Sequence, residues 1–195
     1  MHSQSSLPGI DVAPIPTDRL FFAIFPDTDT ALSIGRFARG LREKHGLNGE
    51  LLATERFHIS LHHIGDFVGL PQDILAMAGD AAGVATVVMS PFEIVFDRAM
   101  SFVGRPRNHP FVLCGSDGVA ALTAFHQALG GAIERAGLKL RKLHFTPHVT
   151  LLYGDRCIAE QIVEPVAWTV REFVLVHSLI GRKQYVPLAR WTLLS

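Results

Sequence analysis

Two short strings of alternating residues, half a chain apart, constrain the fold of this chain more than any other feature. His58-Ile59-Ser60-Leu61 and His148-Val149-Thr150-Leu151 each read histidine, apolar residue, hydroxyl residue, leucine. Alternation with a period of two is typical of a strand with one buried face. Because side chains at i and i+2 share a face of a strand, each string is predicted to present an imidazole and a hydroxyl on one side.

The two strings also suggest a diverged internal repeat. Around each of them the sequence predicts the same order of a strand, a helix and further strands. A duplicated α/β unit with a pseudo-twofold axis would bring the two histidine strands together at the centre. The predicted site then combines two imidazoles and two hydroxyls, those of His58, Ser60, His148 and Thr150.

The composition fits a globular domain. The chain has 195 residues, of which 48% are hydrophobic, so it can bury a full core, and its formal net charge is zero at pH 7. Proteins that coat long nucleic acids usually carry a basic excess, so any nucleic-acid contact is predicted to be local. Cys114 and Cys157 lack a metal-binding spacing and are interpreted as reduced thiols of a cytoplasmic protein.

The chain is predicted to form one domain behind a short tail. Residues 1–17 have neither the basic segment nor the apolar core of a signal peptide, and their Ser, Pro and Gly content indicates a flexible N-terminal tail. Residues 18–195 are predicted to be the domain. No apolar run has the length of a membrane span, so no membrane contact is expected. We expect a monomer, since no feature indicates a protein partner.

Hydrophobic periodicity predicts about four helices and seven or eight strands in an α+β domain. Strands are predicted over 20–25, 57–64, 91–103, 111–114, 144–153, 168–179 and 185–194. Helices are predicted from the caps at 27–29 to about residue 44, over 71–82 and over 117–136. Residues 105–108 are predicted to form a turn, and Gly181 lies in the turn of a final hairpin.

The histidine pair suits general acid–base chemistry on a phosphate ester. Imidazole titrates near pH 6.5, so one ring can accept a proton while the other donates one. Hydroxyls such as Ser60 and Thr150 can donate hydrogen bonds to phosphate oxygens. No carboxylate cluster lies near either string, which favours a mechanism without metal or other cofactor. The alternative is a zinc site made by His58, His62 and His148.

Further side chains near the motifs or in a turn are candidates for substrate binding: His62, Tyr153, Arg105 and Arg107. His62 is predicted to line the mouth of the pocket. The two arginines either contact phosphate or ribose or belong to a solvated turn. Phe25, Phe102 and Tyr153 could stack on a base, although core packing is the simpler interpretation of the two phenylalanines.

At these residues the chain resembles the two-histidine (2H) phosphoesterase superfamily, in its LigT-like, 2′-5′ RNA ligase branch. Residues 19–26 resemble the first strand of that family. Residues 57–61 and 145–151 resemble its two H-x-T-x motifs, and residues 176–193 resemble its last hairpin. The likeness extends over roughly residues 18–195.

The resemblance implies an α+β fold of two pseudo-symmetric lobes, with antiparallel sheets facing a central cleft. It implies a substrate that is a 2′,3′-cyclic phosphate of an RNA 3′ end or of a small nucleotide, which is opened to a 2′-phosphate. His58 would donate a proton to the leaving 3′-oxygen, and His148 would activate water. Ser60 and Thr150 would hold the phosphate.

Two departures from the family pattern are visible. Ser60 replaces the commoner Thr and keeps the hydroxyl, whereas Tyr153 occupies a place where many relatives carry Arg. The second change removes a cationic phosphate ligand. Two other functions remain open: a module that binds RNA or nucleotide phosphate without turnover, and a reverse activity that joins 2′-5′ ends.

Overall fold

The computed structural model describes residues 14–141, 144–182 and 184–194. In this part of the chain there are eight strands: β1 (Asp18–Ile24), β2 (Ile59–Phe67), β3 (Phe92–Ser101), β4 (His109–Cys114), β5 (His148–Gly154), β6 (Gln161–Val170), β7 (Glu172–Leu179) and β8 (Gln184–Thr192). The α-helices are α1 (Thr28–His45), α2 (Gln72–Thr86) and α3 (Ala120–Arg135). Single 3-10 turns span Thr54–Arg56 and Asp117–Val119.

The strands form two four-stranded antiparallel sheets, ordered β2-β1-β7-β8 and β5-β4-β3-β6. Each sheet carries one histidine motif on an edge strand, β2 or β5. The second sheet is a continuous stretch of chain, whereas the first is closed by the final hairpin returning to β1. This arrangement confirms the predicted α+β fold of two lobes with antiparallel sheets.

Strand β1 is buried on both of its faces, as its unbroken apolar run predicts. Phe22 and Ile24 point into the main core, while Phe21 and Ala23 form a smaller cluster on the other face. The strand pairs with β2 on one side and β7 on the other. Strand β1 therefore connects β2, the edge strand that carries the first histidine motif, to the rest of the sheet.

Helix α1 begins and ends at the residues that the sequence indicates. The Asp27 carboxylate accepts a hydrogen bond from the Thr30 N–H at 2.8 Å, which caps the first turn. Gly46 adopts the left-handed conformation (φ 56°) that ends a helix at low steric cost. The buried side chains recur at helical spacing: Ala31, Ile34, Ala38 and Leu41.

An aromatic cluster joins the first sheet to helix α3. Phe173 of β7 is fully buried and lies 5.1 Å from Phe125 of α3, between ring centroids. It also lies 5.9 Å from Phe22 and is stacked on Trp191 at 5.6 Å. These rings make one continuous core from elements of both lobes.

Strand β6 was not predicted, and the single strand predicted over 168–179 is wrong. The structure has two strands there, separated at Arg171. The chain changes sheet at this residue, since β6 pairs with β3 and β7 pairs with β1. The first half of β6 gives a weak signal because it exposes apolar residues, including Ile162, which is 81% exposed.

Several predicted boundaries also need correction. Strand β2 continues past Gly65 to Phe67, because two register shifts against β1 let the pairing continue where the alternation fails. Strand β5 begins at His148 and not at residue 144. The helix predicted over 117–136 opens as a 3-10 turn, and the one predicted over 71–82 extends to Thr86.

The predicted flexible tail, residues 1–17, falls mainly on residues 1–13, which lie outside the described residues. Thr17 already belongs to the first sheet: its N–H bonds to the Phe67 carbonyl, and its carbonyl accepts from Ile180. Among the helices that the structure describes, none is both long and apolar enough to cross a bilayer.

Candidate active site

His58 lies directly before β2, at the end of the 3-10 turn. Its Nδ1 is 2.7 Å from the Arg56 carbonyl, which can only accept, so Nδ1 carries the proton of the neutral ring. Nε2 is then the acceptor, and it receives the hydroxyl of Ser60 at 3.1 Å. The neighbouring backbone thus fixes both the orientation and the tautomer of this imidazole.

His148, the first residue of β5, is held in the same way. Its Nδ1 is 2.7 Å from the carbonyl of Thr146, again two residues earlier in the chain. The backbone therefore leaves Nε2 of both rings available for proton transfer. The two motifs therefore resemble each other in this local hydrogen bond as well as in their sequence pattern.

The two motifs meet in one cleft of about 850 Å³. Side chains from both lobes line it, including all four motif residues: His58, Ser60, His148 and Thr150. Tyr153 and His62 line it as well. An adjoining cavity of about 1040 Å³ is larger but contains none of the four motif side chains, so the chemistry belongs to the smaller one.

Burial lowers the pKa of both imidazoles. For His58 it outweighs the hydrogen bond to Arg56, which raises the pKa, and positive charge on His148 and Arg56 lowers it further. For His148 burial outweighs the opposing hydrogen bond to Thr146. Both rings therefore favour the neutral form at pH 7, and protonation of His148 makes protonation of His58 less favourable.

Aromatic side chains pack against the two imidazoles. The ring centroid of His58 lies 5.4 Å from that of Phe21, 5.8 Å from Phe25 and 5.3 Å from Tyr185. The ring of Phe102 meets His148 edge-on at 4.9 Å. Phe25 and Phe102 thus pack on the histidines, while Tyr153 is 46% exposed at the cleft surface.

His62 lines the cleft, but its Nε2 forms a hydrogen bond with a residue of the second lobe. It donates to the carbonyl of His126 in α3 at 2.8 Å, and the two rings stack at 4.0 Å. The alternative zinc site of His58, His62 and His148 is therefore not assembled. Among the residues that the structure describes, no three His, Cys, Asp or Glu side chains are grouped to hold a metal ion.

Three rings stack where β2 meets α3: His62, His126 and Phe145. His126 and Phe145 are nearly parallel, at 6°, with centroids 3.8 Å apart. Gly130 makes room for the stack, since a Cβ there would lie 2.9 Å from Cε1 of His62. Burial, together with the neighbouring His62, lowers the pKa of His126 to about 4.

This stack predicts acid sensitivity of the fold. An unfolded histidine takes up a proton near pH 6.5, but His126 in the folded protein resists it until about pH 4. Between these values the unfolded state binds more protons, so the free energy of unfolding falls as the pH is lowered from 6.5 to 4. We expect His126 to contribute about 1–2 kcal/mol to this fall, roughly half the full linkage value because the ring is partly exposed.

The measurement is urea unfolding of the wild type and of His126→Phe from pH 7.5 to 4. The variant keeps a ring in the stack but cannot titrate, so its stability should fall less on acidification. His58, His62 and His148 retain their own contributions. Parallel stability curves for the two proteins would contradict the prediction.

The structure does not bring Arg105 and Arg107 to the cleft. Both are exposed in the loop between β3 and β4, where Arg105 pairs with Asn108 in an isolated bridge. Arg107 adopts a positive φ of 58°, which tightens this turn. Neither side chain lines the cavity that holds the histidines.

The lining residues of the cleft that were not predicted include Arg56, His126 and Tyr185. Nη2 of Arg56 is 3.4 Å from the Tyr185 hydroxyl, and its Cζ lies 5.0 Å from the centre of that ring. Arg56 could have been suspected from its place two residues before His58. Tyr185 carries no such signal, since it reaches the cleft from the final hairpin.

Comparison with known proteins agrees with this geometry. A sequence model of the 2′-5′ RNA ligase superfamily matches residues 26–181, a range that includes both histidine motifs. The chain belongs to the 2′-5′ RNA ligase superfamily. Membership of this superfamily makes it an enzyme that acts on phosphodiester bonds. The predicted resemblance to 2H phosphoesterases is thereby confirmed at the level of the superfamily.

Solved structures of the 2′-5′ RNA ligase fold match nearly the whole chain. E. coli LigT complexed with 3′-AMP is 27% identical, with a TM-score of 0.66 over 93% of this chain and 100% of that one. A structure described as a phosphoesterase is 26% identical, with a TM-score of 0.67 over 92% and 100%. The protein TT0787 of Thermus thermophilus is 20% identical and shares the fold, with a TM-score of 0.70 over 90% and 97%. No curated protein matches the sequence significantly.

Proposed function

We propose that this protein hydrolyses 2′,3′-cyclic phosphodiesters, at RNA 3′ ends or in small cyclic nucleotides, to 2′-phosphomonoesters without a metal ion. The observation that carries the proposal is the matched pair of imidazoles. His58 and His148 line one cleft, and each is held through Nδ1 by the carbonyl two residues before it. Two rings prepared in this way can supply one acid and one base to the same phosphate.

The reaction requires one proton transfer at each side of the phosphorus. Nε2 of His148 takes a proton from water as its oxygen forms a bond to phosphorus. The bond from phosphorus to the 3′-oxygen breaks, and Nε2 of His58 gives its proton to that oxygen. The products are a 2′-phosphate and a 3′-hydroxyl. The division of roles between the two rings follows the family resemblance.

Ser60 and Thr150 are proposed to bind the non-bridging phosphate oxygens. In the free protein the Ser60 hydroxyl is engaged by the acceptor Nε2 of His58. Protonation of His58 turns this nitrogen into a donor and frees the hydroxyl proton for the phosphate. Protonation of His58 and binding of the phosphate by Ser60 are thus coupled. The 3′-AMP bound to E. coli LigT supports a nucleotide phosphate as the ligand.

The test is an assay of purified protein on 2′,3′-cyclic nucleotides and short RNAs with 2′,3′-cyclic ends, in the presence of EDTA. We expect turnover that EDTA leaves unchanged and a bell-shaped dependence on pH. Because both imidazole pKa values are lowered in the free protein, the optimum of kcat/KM should lie on the acid side of pH 6.5. Bound phosphate favours imidazolium, so the optimum of kcat should lie higher.

Two outcomes would count against the proposal. Turnover that is lost in EDTA and restored by zinc would overturn the assignment of acid and base to His58 and His148. Tight nucleotide binding with no turnover on any of these substrates would favour the non-catalytic binding module. A non-catalytic binding module would not explain the two oriented imidazoles, since phosphate binding does not require two titrating groups.

A second candidate function, suggested by the description of the superfamily, is 2′-5′ ligation. The same site would activate the 5′-hydroxyl of a second RNA in place of water, with the same bond to the 3′-oxygen broken. Water at high concentration should make hydrolysis dominant. Incubation of RNA carrying a 2′,3′-cyclic end with a 5′-hydroxyl RNA, followed by analysis of the linkage, distinguishes the two.

A further inference from the structure

We propose that Arg56 is the residue that supplies positive charge to the reacting phosphate in this cleft. The inference rests on the proposed function, since it assumes a phosphate ester as substrate, and it adds a residue that the histidine motifs do not contain. The argument comes from the position of Arg56, its unused donors and the charges around it.

Arg56 is fixed relative to the acid–base pair. It ends the 3-10 turn Thr54–Arg56, and its carbonyl accepts the Nδ1–H of His58 at 2.7 Å. Its side chain lines the cleft together with both histidines. It also lines the adjoining cavity, so a ligand can approach the guanidinium from either side.

The guanidinium has donors that the protein does not use. The 3.4 Å contact from Nη2 to the Tyr185 hydroxyl is long, and Nε is buried with no partner among the described residues. Nor does Arg56 form an ion pair with any carboxylate in the described part of the chain. A buried N–H without an acceptor is costly, and an anionic ligand in the cleft would remove that cost.

The other arginines of the cleft are less suited to this role. Arg19 forms two hydrogen bonds with the Asp66 carboxylate, at 2.7 and 2.8 Å, which use two of its five N–H donors and neutralise its charge. Arg141 is exposed, so water screens its charge. Arg56 instead lies over the Tyr185 ring, where the cation–π contact fixes the guanidinium plane.

Arg56 also acts on the position that has lost its expected cation. Burial and the neighbouring Tyr185 raise the pKa of Tyr153, whereas the charge on Arg56 opposes them. Arg56 and Tyr153 line the same cleft, so Arg56 provides positive charge from the first lobe, where Tyr153 in the second lobe provides none. The same charge lowers the pKa of His58, which makes its imidazolium a stronger acid toward the leaving oxygen.

The chemistry requires a charge of this kind. Negative charge on the non-bridging oxygens increases as the water oxygen bonds to phosphorus, and fixed donors within a water-excluding site stabilise it. A guanidinium offers two parallel N–H groups that match two phosphate oxygens. Ser60 and Thr150 would add neutral donors to the same oxygens.

The test compares Arg56→Gln and Arg56→Lys with Arg39→Gln, an exposed change on α1 outside both cavities. We expect Arg56→Gln to lower kcat/KM about 10²–10³-fold, the usual loss for one oxyanion donor. The kcat/KM of Arg56→Lys should lie between those of the wild type and Arg56→Gln, since lysine keeps the positive charge but lacks the paired N–H groups of the guanidinium. Removing the charge should also move the His58 limb of the pH profile to higher pH, which a purely structural role would not do.

Binding of inorganic phosphate, measured by calorimetry, tests the assignment without turnover. Support would be a loss of at least tenfold in affinity for Arg56→Gln, partial recovery in Arg56→Lys and no change in Arg39→Gln. Should the Gln variant fail to fold, Arg56→Lys decides: a clear loss of phosphate affinity at native stability supports the role, and wild-type affinity overturns it.

These measurements separate the two proposals. An active cyclic phosphodiesterase whose Arg56→Gln variant binds phosphate as the wild type does would overturn the role of Arg56 and leave the activity standing. If the protein binds phosphate through Arg56 but opens no cyclic phosphate, the proposed activity is overturned and the role of Arg56 in phosphate binding stands.

Discussion

Alanine in place of either His58 or His148 is expected to lower kcat about 10²–10⁴-fold, because each ring supplies a proton transfer that water performs poorly. The fold should survive, since both side chains lie in the cleft and not in the core clusters. His109→Ala, outside the cleft, is the matched control and should keep wild-type rates. Steady-state kinetics near the pH optimum, with thermal unfolding of each variant, measures both effects.

The double variant gives the sharper result. Because the acid and the base serve one transition state, loss of the second ring should add little to loss of the first. Ser60→Ala and Thr150→Ala should each cost less than a histidine, since other donors remain at the phosphate. Multiplicative losses in the histidine double variant would show that the two rings act in separate steps, which contradicts the mechanism.

The sequence predicts the parts of this site that are local in the chain. The alternation around His58 and His148 predicts an imidazole and a hydroxyl on one face of each strand. The hydrogen bond from Nδ1 to the carbonyl two residues earlier was not predicted, but it is equally local in the chain. The helix caps at Asp27 and Gly46 are local in the same sense. Such features depend on a few neighbouring dihedral angles.

Contacts between distant segments could not be predicted in this way. Arg56 and Tyr185 are 129 residues apart, and their contact exists because the final hairpin closes the first sheet. His177 is buried with Nε2 2.6 Å from a carboxylate oxygen of Asp18, 159 residues away, and no local pattern marks either residue as the partner of the other. Hydrophobic periodicity indicates which face is buried, but it does not identify the residue on the other side.

His126 shows the same limit at the cleft. The apolar stripe of α3 predicts the helix, and a single histidine beside that stripe gives no reason to expect a partner. Its partner His62 comes from β2, next to a register shift that the alternation hides. The three-ring stack therefore depends on how the two lobes pack, which no local pattern records.

The largest expected effect on stability is that of Phe173→Ala, a loss of about 3–5 kcal/mol in the free energy of unfolding. Phe173 is fully buried, and its ring lies against Phe22, Phe125 and Trp191, so truncation leaves a cavity where β1, α3 and β8 converge. Domains are stable by roughly 5–15 kcal/mol, so this one ring accounts for a large share.

Urea unfolding at pH 7.5 measures the change, with Val103→Ala as the control. Val103 is 91% exposed, so its truncation should alter stability by less than about 0.5 kcal/mol. Phe173 does not line the cleft, and the folded fraction of Phe173→Ala should therefore keep the kcat of the wild type. A loss of less than about 1 kcal/mol would mean that the rings around the cavity collapse into it. In that case the two lobes would be held together mainly by other contacts, such as the stack of His62, His126 and Phe145.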